Sequence, residues 1–198
     1  MLLGRLFAPS LPSLFHLANG GGHAMHLYVN SNAFLDGLAG FFDLALRRGD
    51  ATCLIATEDI RNALGDRLRA RGWDTGRTSR HRYASVDAAQ ALGRFMRNGL
   101  PDPVRLAEIA SELDQYRLTA GDGGASRLTI FGIMASLLCA AGNAKAAVAL
   151  ENVWESVTRH LPFFTVCGYS TTSWVRDAPG LCSDVCARHW AVSHATGV

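Results

Sequence analysis

The sequence predicts an α/β fold, a three-layer sandwich with a mostly parallel sheet of about five strands, and three observations carry that expectation. Short apolar runs such as Ala51–Ala56 and Phe163–Gly168 show no polar alternation, as strands buried on both faces do. Between such runs lie segments whose apolar residues recur at helical spacing, several opened by Ser, Thr or Asp and closed by Gly. The two kinds of segment alternate along the chain, the pattern of a sheet covered by helices on both sides.

Taken in order, Met25–Val29 reads as the first strand. Ser31 caps a helix carrying Phe34, Leu35, Leu38, Phe41, Phe42 and Ala45, and Gly49 ends it. Ala51–Ala56 is a buried strand. Thr57 caps the next helix, with Glu58 and Asp59 in the turn where the helix dipole favours acids, and Gly72 stops it. Residues 82–86 read as a weaker strand. Asp87 caps a helix with Leu92, Phe95 and Met96 that closes at Gly99. Asp102-Pro103 opens another, aspartate as cap and proline at the first helical position, with Leu106, Ile109, Ala110 and Leu113 on its apolar face. After the glycine-rich loop 121–124 come a strand over 127–131, helices near 133–141 and 144–160, and the strand Phe163–Gly168. A short helix is expected in the tail from Leu181.

The chain has 198 residues, 48% of them hydrophobic, enough for one well-cored domain, expected over 23–195. Residues 1–22 are expected to be a flexible leader, since Pro9 and Pro12 interrupt its apolar part. A net charge of +2, with basic residues scattered and all but Lys145 arginine, gives no stripe for tracking phosphates, so no direct nucleic-acid contact is expected. No apolar run reaches the length of a membrane span. Five cysteines are an odd number, and two fall in expected core elements; both facts point to a reducing, cytoplasmic setting rather than a disulfide scaffold.

Several motifs together carry a family resemblance. Gly22-His23-Ala24 with Leu27-Tyr28 is similar to an opening Gly-Asp-His run that leads into an aromatic-Tyr strand. The segment from Tyr83 to Pro103 contains D-A-x-x-A-L-x-R-F-M-x-x-G-x-P-D-P. Phe131-Gly132, Gly142-Asn143, Leu150-Glu151, Trp154, Cys167-x-Tyr169 and a closing Cys186-x-x-His189 follow. In order and spacing this resembles the MEDS sensory domain (methanogen/methylotroph, dichloromethane-repressor sensory), a relative of the RecA/KaiC-like fold. The resemblance covers about residues 22–195. The chain departs from it at Gly21-Gly22, where Gly-Asp is usual, at Ile133, where a glutamate usually follows Phe-Gly, and at Cys139, where tryptophan is typical. The resemblance implies a degenerate RecA/KaiC-like P-loop frame lacking the Walker A motif. The residues agree with that implication, since no Gly-Lys pair exists to hold a phosphate.

Glu151 is the strongest single candidate for a site. Helical spacing sets it among Ala147, Val148 and Trp154, and a carboxylate there must be paired, protonated or presented to a ligand. Arg127, Arg159 and His160 are its candidate ion-pair partners. His23, Tyr28, Phe131 and Trp154 join Glu151 as candidate ligand-binding residues, the aromatics as walls of an apolar pocket at the carboxyl ends of the strands. Cys182-x3-Cys186-x2-His189 would place three soft ligands on one helical face for a metal ion, or a thiol pair for redox chemistry. No nucleophile–base pair is legible, and no G-x-S-x-G elbow is present. The expected function is a non-catalytic, cytoplasmic sensory domain that binds a small molecule of unknown identity. The alternative is a metal- or thiol-based sensor using Cys182, Cys186 and His189. Family members sit beside histidine-kinase or DNA-binding output modules, so signalling in trans to a histidine kinase or transcription regulator, or through a homodimer, is expected.

Overall fold

In the computed structural model the described residues are 6–8, 10–17, 22–29, 31–76, 82–121, 123–171, 189 and 191–194. Their strands are β1 (Leu6–Ala8), β2 (Gly22–Tyr28), β3 (Ala51–Ala56), β4 (Tyr83–Asp87), β5 (Met96–Arg97), β6 (Leu100–Pro101), β7 (Leu128–Gly132), β8 (Phe163–Ser170) and β9 (Ala191–His194). The helices are α1 (Leu11–Leu17), α2 (Asn32–Arg47), α3 (Glu58–Ala70), α4 (Ala88–Phe95), α5 (Pro103–Thr119), α6 (Met134–Ala140) and α7 (Ala144–Thr158). Seven strands form one sheet in the order β1-β9-β2-β8-β7-β3-β4, with every pairing parallel. The five central strands are the expected ones; β9 and β1 extend the sheet beyond β2.

The chain steps from β2 across to β3 and outward to β4, then returns through β7 and β8. With right-handed crossovers, the reversal puts α2 and α3 on one face and α4 to α7 on the other. The packing agrees: α1 lies against α2 and α2 against α3, while α4, α5, α6 and α7 pack among themselves. The first interface is aromatic. Phe34, Phe41 and Phe42 are fully enclosed, Phe41 meeting Phe164 and Phe34 meeting Phe131 across the sheet surface.

Local signals set the helix starts. Ser31 Oγ accepts from the Phe34 amide, Asp87 from Ala89 and Gln90, and Asp102 from Val104 and Arg105. Thr57 stands at the cap of α3 without a side-chain capping bond. At the amino ends of β3 and β7 a buried pair closes the sheet. Arg127 Nε donates to Asp50 Oδ2 at 2.8 Å, Thr129 Oγ1 donates to the same oxygen, and the guanidinium lies over the Phe15 ring.

One expectation changes, that for the end of α4, and toward the two ends of the chain the structure adds elements. The expected flexible leader contains β1, paired with β9, and α1, whose Leu11, Leu14 and Phe15 are buried. Pro12 does not interrupt α1, because it sits in the first turn, where a backbone N–H has no helical partner to lose. Helix α4 stops at Phe95 rather than near Gly99. Met96–Arg97 and Leu100–Pro101 instead form an antiparallel hairpin around Asn98-Gly99, both with positive φ, as a two-residue hairpin turn requires. In the tail, Ala191–His194 is the strand β9, and the expected short helix from Leu181 falls on residues that lie outside the described ones. Among the described residues, no helix is long and apolar enough to cross a membrane.

Candidate functional site: a buried His-Glu-Cys-His cluster

Strand register builds the site. In β2 and β8, His23 pairs with Thr165 and Met25 with Cys167. Alternation therefore sends His23, Thr165, Cys167 and Tyr169 to one face of the sheet, the face covered by α7. Helix α7 lays Ala147, Leu150, Glu151 and Trp154 on that surface at helical spacing, capped by Asn143, whose side chain accepts from the Ala146 amide. Glu151 is thus driven inward by its apolar neighbours and lands on the polar stripe of β8.

There its carboxylate gathers four groups. Oε2 lies 3.0 Å from His23 Nε2, 3.4 Å from Cys167 Sγ and 3.6 Å from His189 Nε2. The Tyr169 hydroxyl donates to the other oxygen, Oε1. His23 Nε2 is also 3.1 Å from Cys167 Sγ, and the two imidazoles meet with ring centroids 4.3 Å apart. One donor atom from each of His23, Glu151, Cys167 and His189 lies within 4.8 Å of every other. Glu151 is 1% exposed and His189 3%.

Electrostatics at the cluster are set by this enclosure. Burial works to raise the Glu151 carboxyl, but the charge and hydrogen bonds of His23 and His189 outweigh it and hold the group well below the usual carboxylate range. Burial first, and then the neighbouring Glu151 charge, push the Cys167 thiol and the Tyr169 phenol well above their ordinary values. Cys167 beside an imidazole is a nucleophile–base pair that the sequence did not reveal. Its environment favours the thiol, the opposite of an activated thiolate.

The sheet divides the expected ligand-binding set. His23 and Glu151 are in the cluster, and Trp154 is next to it, its Nε1 donating to Thr165 Oγ1 at 3.2 Å. Tyr28 and Phe131 lie on the opposite face, under α2. Tyr28 stacks on Phe34 with centroids 4.1 Å apart, and burial pushes its phenol up to about 12. The reason is period two: His23 and Tyr28 are an odd number of residues apart on one strand. Arg127, a candidate partner of Glu151, pairs with Asp50 instead. Cys182 and Cys186 lie outside the described residues, so only His189 of the expected metal set is placed. Cys167 and Tyr169 complete the cluster; Cys167 lies on the expected strand Phe163–Gly168 and Tyr169 just past its expected end, so their alternate spacing was the signal for them. The cluster also stands over the middle of β8 rather than at the carboxyl ends of the strands.

Two cavities flank Trp154 on this face. A small one of about 20 Å³ touches Glu151, Cys167 and Thr165. A larger one of about 230 Å³ lies between β3/β4 and α4/α5, lined mainly by apolar groups including Cys53, Ala91, Phe95, Leu106 and Trp154. The Arg94–Glu112 ion pair belongs to its lining, at the exposed side.

Comparison with known families matches residues 22–182 to the family described as MEthanogen/methylotroph, DcmR Sensory domain (MEDS). That span is most of the chain, and the chain belongs to this family of sensory domains. His23, Glu151, Cys167 and Tyr169 fall within the match and His189 beyond it. Among curated proteins nothing matches.

Proposed function

We propose that this MEDS-family chain senses a small, largely apolar molecule held in the cavity between β3/β4 and α4/α5, and signals in trans without chemistry of its own. The observation that carries the reading is the cavity itself, about 230 Å³ of apolar-lined space. Ligand sites are concave and mostly apolar with a few polar groups, and this one sits slightly below their usual size. Its polar complement is sparse: the Cys53 thiol, the Tyr116 hydroxyl (which donates to Thr52 O at 3.2 Å) and the Arg94–Glu112 pair. Such a lining suits a compact molecule with one or two polar atoms. The partner in trans is a histidine kinase, a transcription regulator or a second copy of the chain, and the setting is cytoplasmic.

Benzene is a suitable first probe, because it reports apolar space without needing polar contacts. At a concentration about ten times its Kd, benzene should raise the melting temperature of the wild-type chain by about 2–6 °C. Ala91→Phe, which fills the cavity from α4, should abolish the shift. No stabilisation of the wild type, or an equal shift in Ala91→Phe, would overturn the reading.

A further inference from the structure

We propose that His23, Glu151, Cys167 and His189 are the four ligands of a single divalent ion, with zinc the ion the donor set selects. The geometry is close to what such an ion demands. With metal–nitrogen and metal–oxygen bonds of about 2.0 Å and a metal–sulfur bond of about 2.3 Å, the donors of a tetrahedral zinc stand about 3.3–3.6 Å apart. The separations found between pairs of these four atoms include 3.0, 3.1, 3.4 and 3.6 Å, and none exceeds 4.8 Å. The four separations given lie within about 0.4 Å of those a tetrahedral ion sets.

Hydrogen bonding alone accounts for the arrangement less well. Three groups converge on the one oxygen Oε2, and His23 Nε2, with a single hydrogen or a single lone pair, faces both that oxygen and Cys167 Sγ. A cation at the centre would satisfy all four donors at once. Tyr169 holds Oε1 from outside, which is how an outer hydrogen bond fixes a ligating carboxylate in its one-oxygen mode. Two imidazoles, a thiolate and a carboxylate suit a borderline-soft ion and exclude the all-oxygen preference of magnesium or calcium. Four protein ligands also leave no open position, so the ion would bind and report rather than catalyse.

The ligands come from β2, α7, β8 and the residue two before β9. The ion would therefore tie the segment leading into β9 to the centre of the sheet. None of its four ligands lines the apolar cavity, so this proposal does not depend on benzene binding, and neither test decides the other.

The experiment is a cobalt(II) titration of the chelator-treated full chain, followed in the visible and near-ultraviolet, with metal analysis of the protein as purified. One equivalent of cobalt should give the d–d bands of a tetrahedral site and a thiolate-to-cobalt charge-transfer band. Cys167→Ser should remove the charge-transfer band, and His189→Ala should weaken cobalt binding by about ten-fold or more. Cys139→Ser should leave both signals intact and serves as the folded control. Near-ultraviolet circular dichroism of each variant separates lost ligation from lost fold. Should Cys167→Ser unfold, Cys186→Ser still decides: the proposal requires the charge-transfer band to survive in it, and its loss there overturns the proposal. No charge-transfer band in folded wild type overturns the proposal. So does a band that survives in Cys167→Ser and disappears in Cys186→Ser, which would move the site to the tail.

Discussion

Gly168 lies in β8 beside Cys167 but faces the opposite side of the sheet, and Gly168→Ala tests how tightly that side is packed. A Cβ built on Gly168 would stand 2.4 Å from Phe131 Cζ, 2.9 Å from its Cε1 and 3.2 Å from Tyr28 Cε1. Carbon atoms settle at about 3.5–4.0 Å, so the Phe131 ring would have to retreat by about 1 Å. It has little room, being fully buried, with the Phe34 ring centroid 6.0 Å away. Overpacking of this kind costs about 1–3 kcal/mol, which for a chain of this size is a fall of roughly 2–12 °C in melting temperature. Urea denaturation would read the loss as a lower midpoint at unchanged slope. Phe131→Leu in the same background tests the cause: the double variant should be more stable than the sum of the single losses predicts, by at least about 0.5 kcal/mol. A midpoint equal to wild type, or strict additivity with Phe131→Leu, would refute the reasoning.

Asp50→Ala leaves Arg127 charged and buried over aromatic rings, and should lower stability by about 3–5 kcal/mol, with much of the loss recovered in Asp50→Ala/Arg127→Met; thermal unfolding of the three proteins decides it. Burial pushes the Cys53 thiol up to about 12, so N-ethylmaleimide should leave Cys53 unlabelled in native protein at pH 8 and label it fully in urea, read by peptide mass spectrometry. The Asp87 carboxyl is held below the usual range chiefly by the Gln90 amide, with the Ala89 amide and Arg61 adding to this against slight burial. Its charged form therefore stabilises the fold above the unfolded-state pKa, and that contribution is lost as pH falls through the folded one. The stability gap between wild type and Asp87→Ala should be full at neutral pH and narrow in acid; a gap that stays constant would show that the carboxylate charge does not contribute.

What the sequence revealed, and what it hid, follows from the range of each physical signal. Caps at Ser31, Asp87 and Asp102 are local, and each lies at the start of a helix. Glu151 stood out because helical spacing alone puts it on the buried face of α7. The split of Tyr28 from His23 was also legible, because alternation on β2 already sends Tyr28 to the other side, whereas the face of Phe131 depends on its pairing with Val166. The Asn98-Gly99 hairpin was written in its dipeptide, but Met96 continues the apolar spacing of α4, and that pattern hid the turn. Pairing between distant strands was not legible at all. Nothing local in Ala191–His194 tells that it lies beside β2, where His26 Nδ1 meets Ser193 Oγ at 2.7 Å. The placement of His189 against His23 depends on that pairing.

The two proposed sites share a wall, and this gives the sensory reading a physical route. Trp154 lines both cavities and bonds Thr165, which is two residues from Cys167 on β8. Glu151 and Trp154 are three residues apart on α7, on adjoining turns of one rigid element. A molecule that enters the larger cavity and displaces Trp154 acts on the helix and the strand that together present two of the four proposed metal ligands. Thermodynamic linkage makes any such effect mutual: if the apolar ligand weakens metal binding, metal weakens ligand binding by the same factor. Any such coupling is limited by the difference in ligand affinity between the states it links, whatever the affinity itself. A tightly bound ion would hold α7 against β8, so a ligand that displaces α7 would have to work against it.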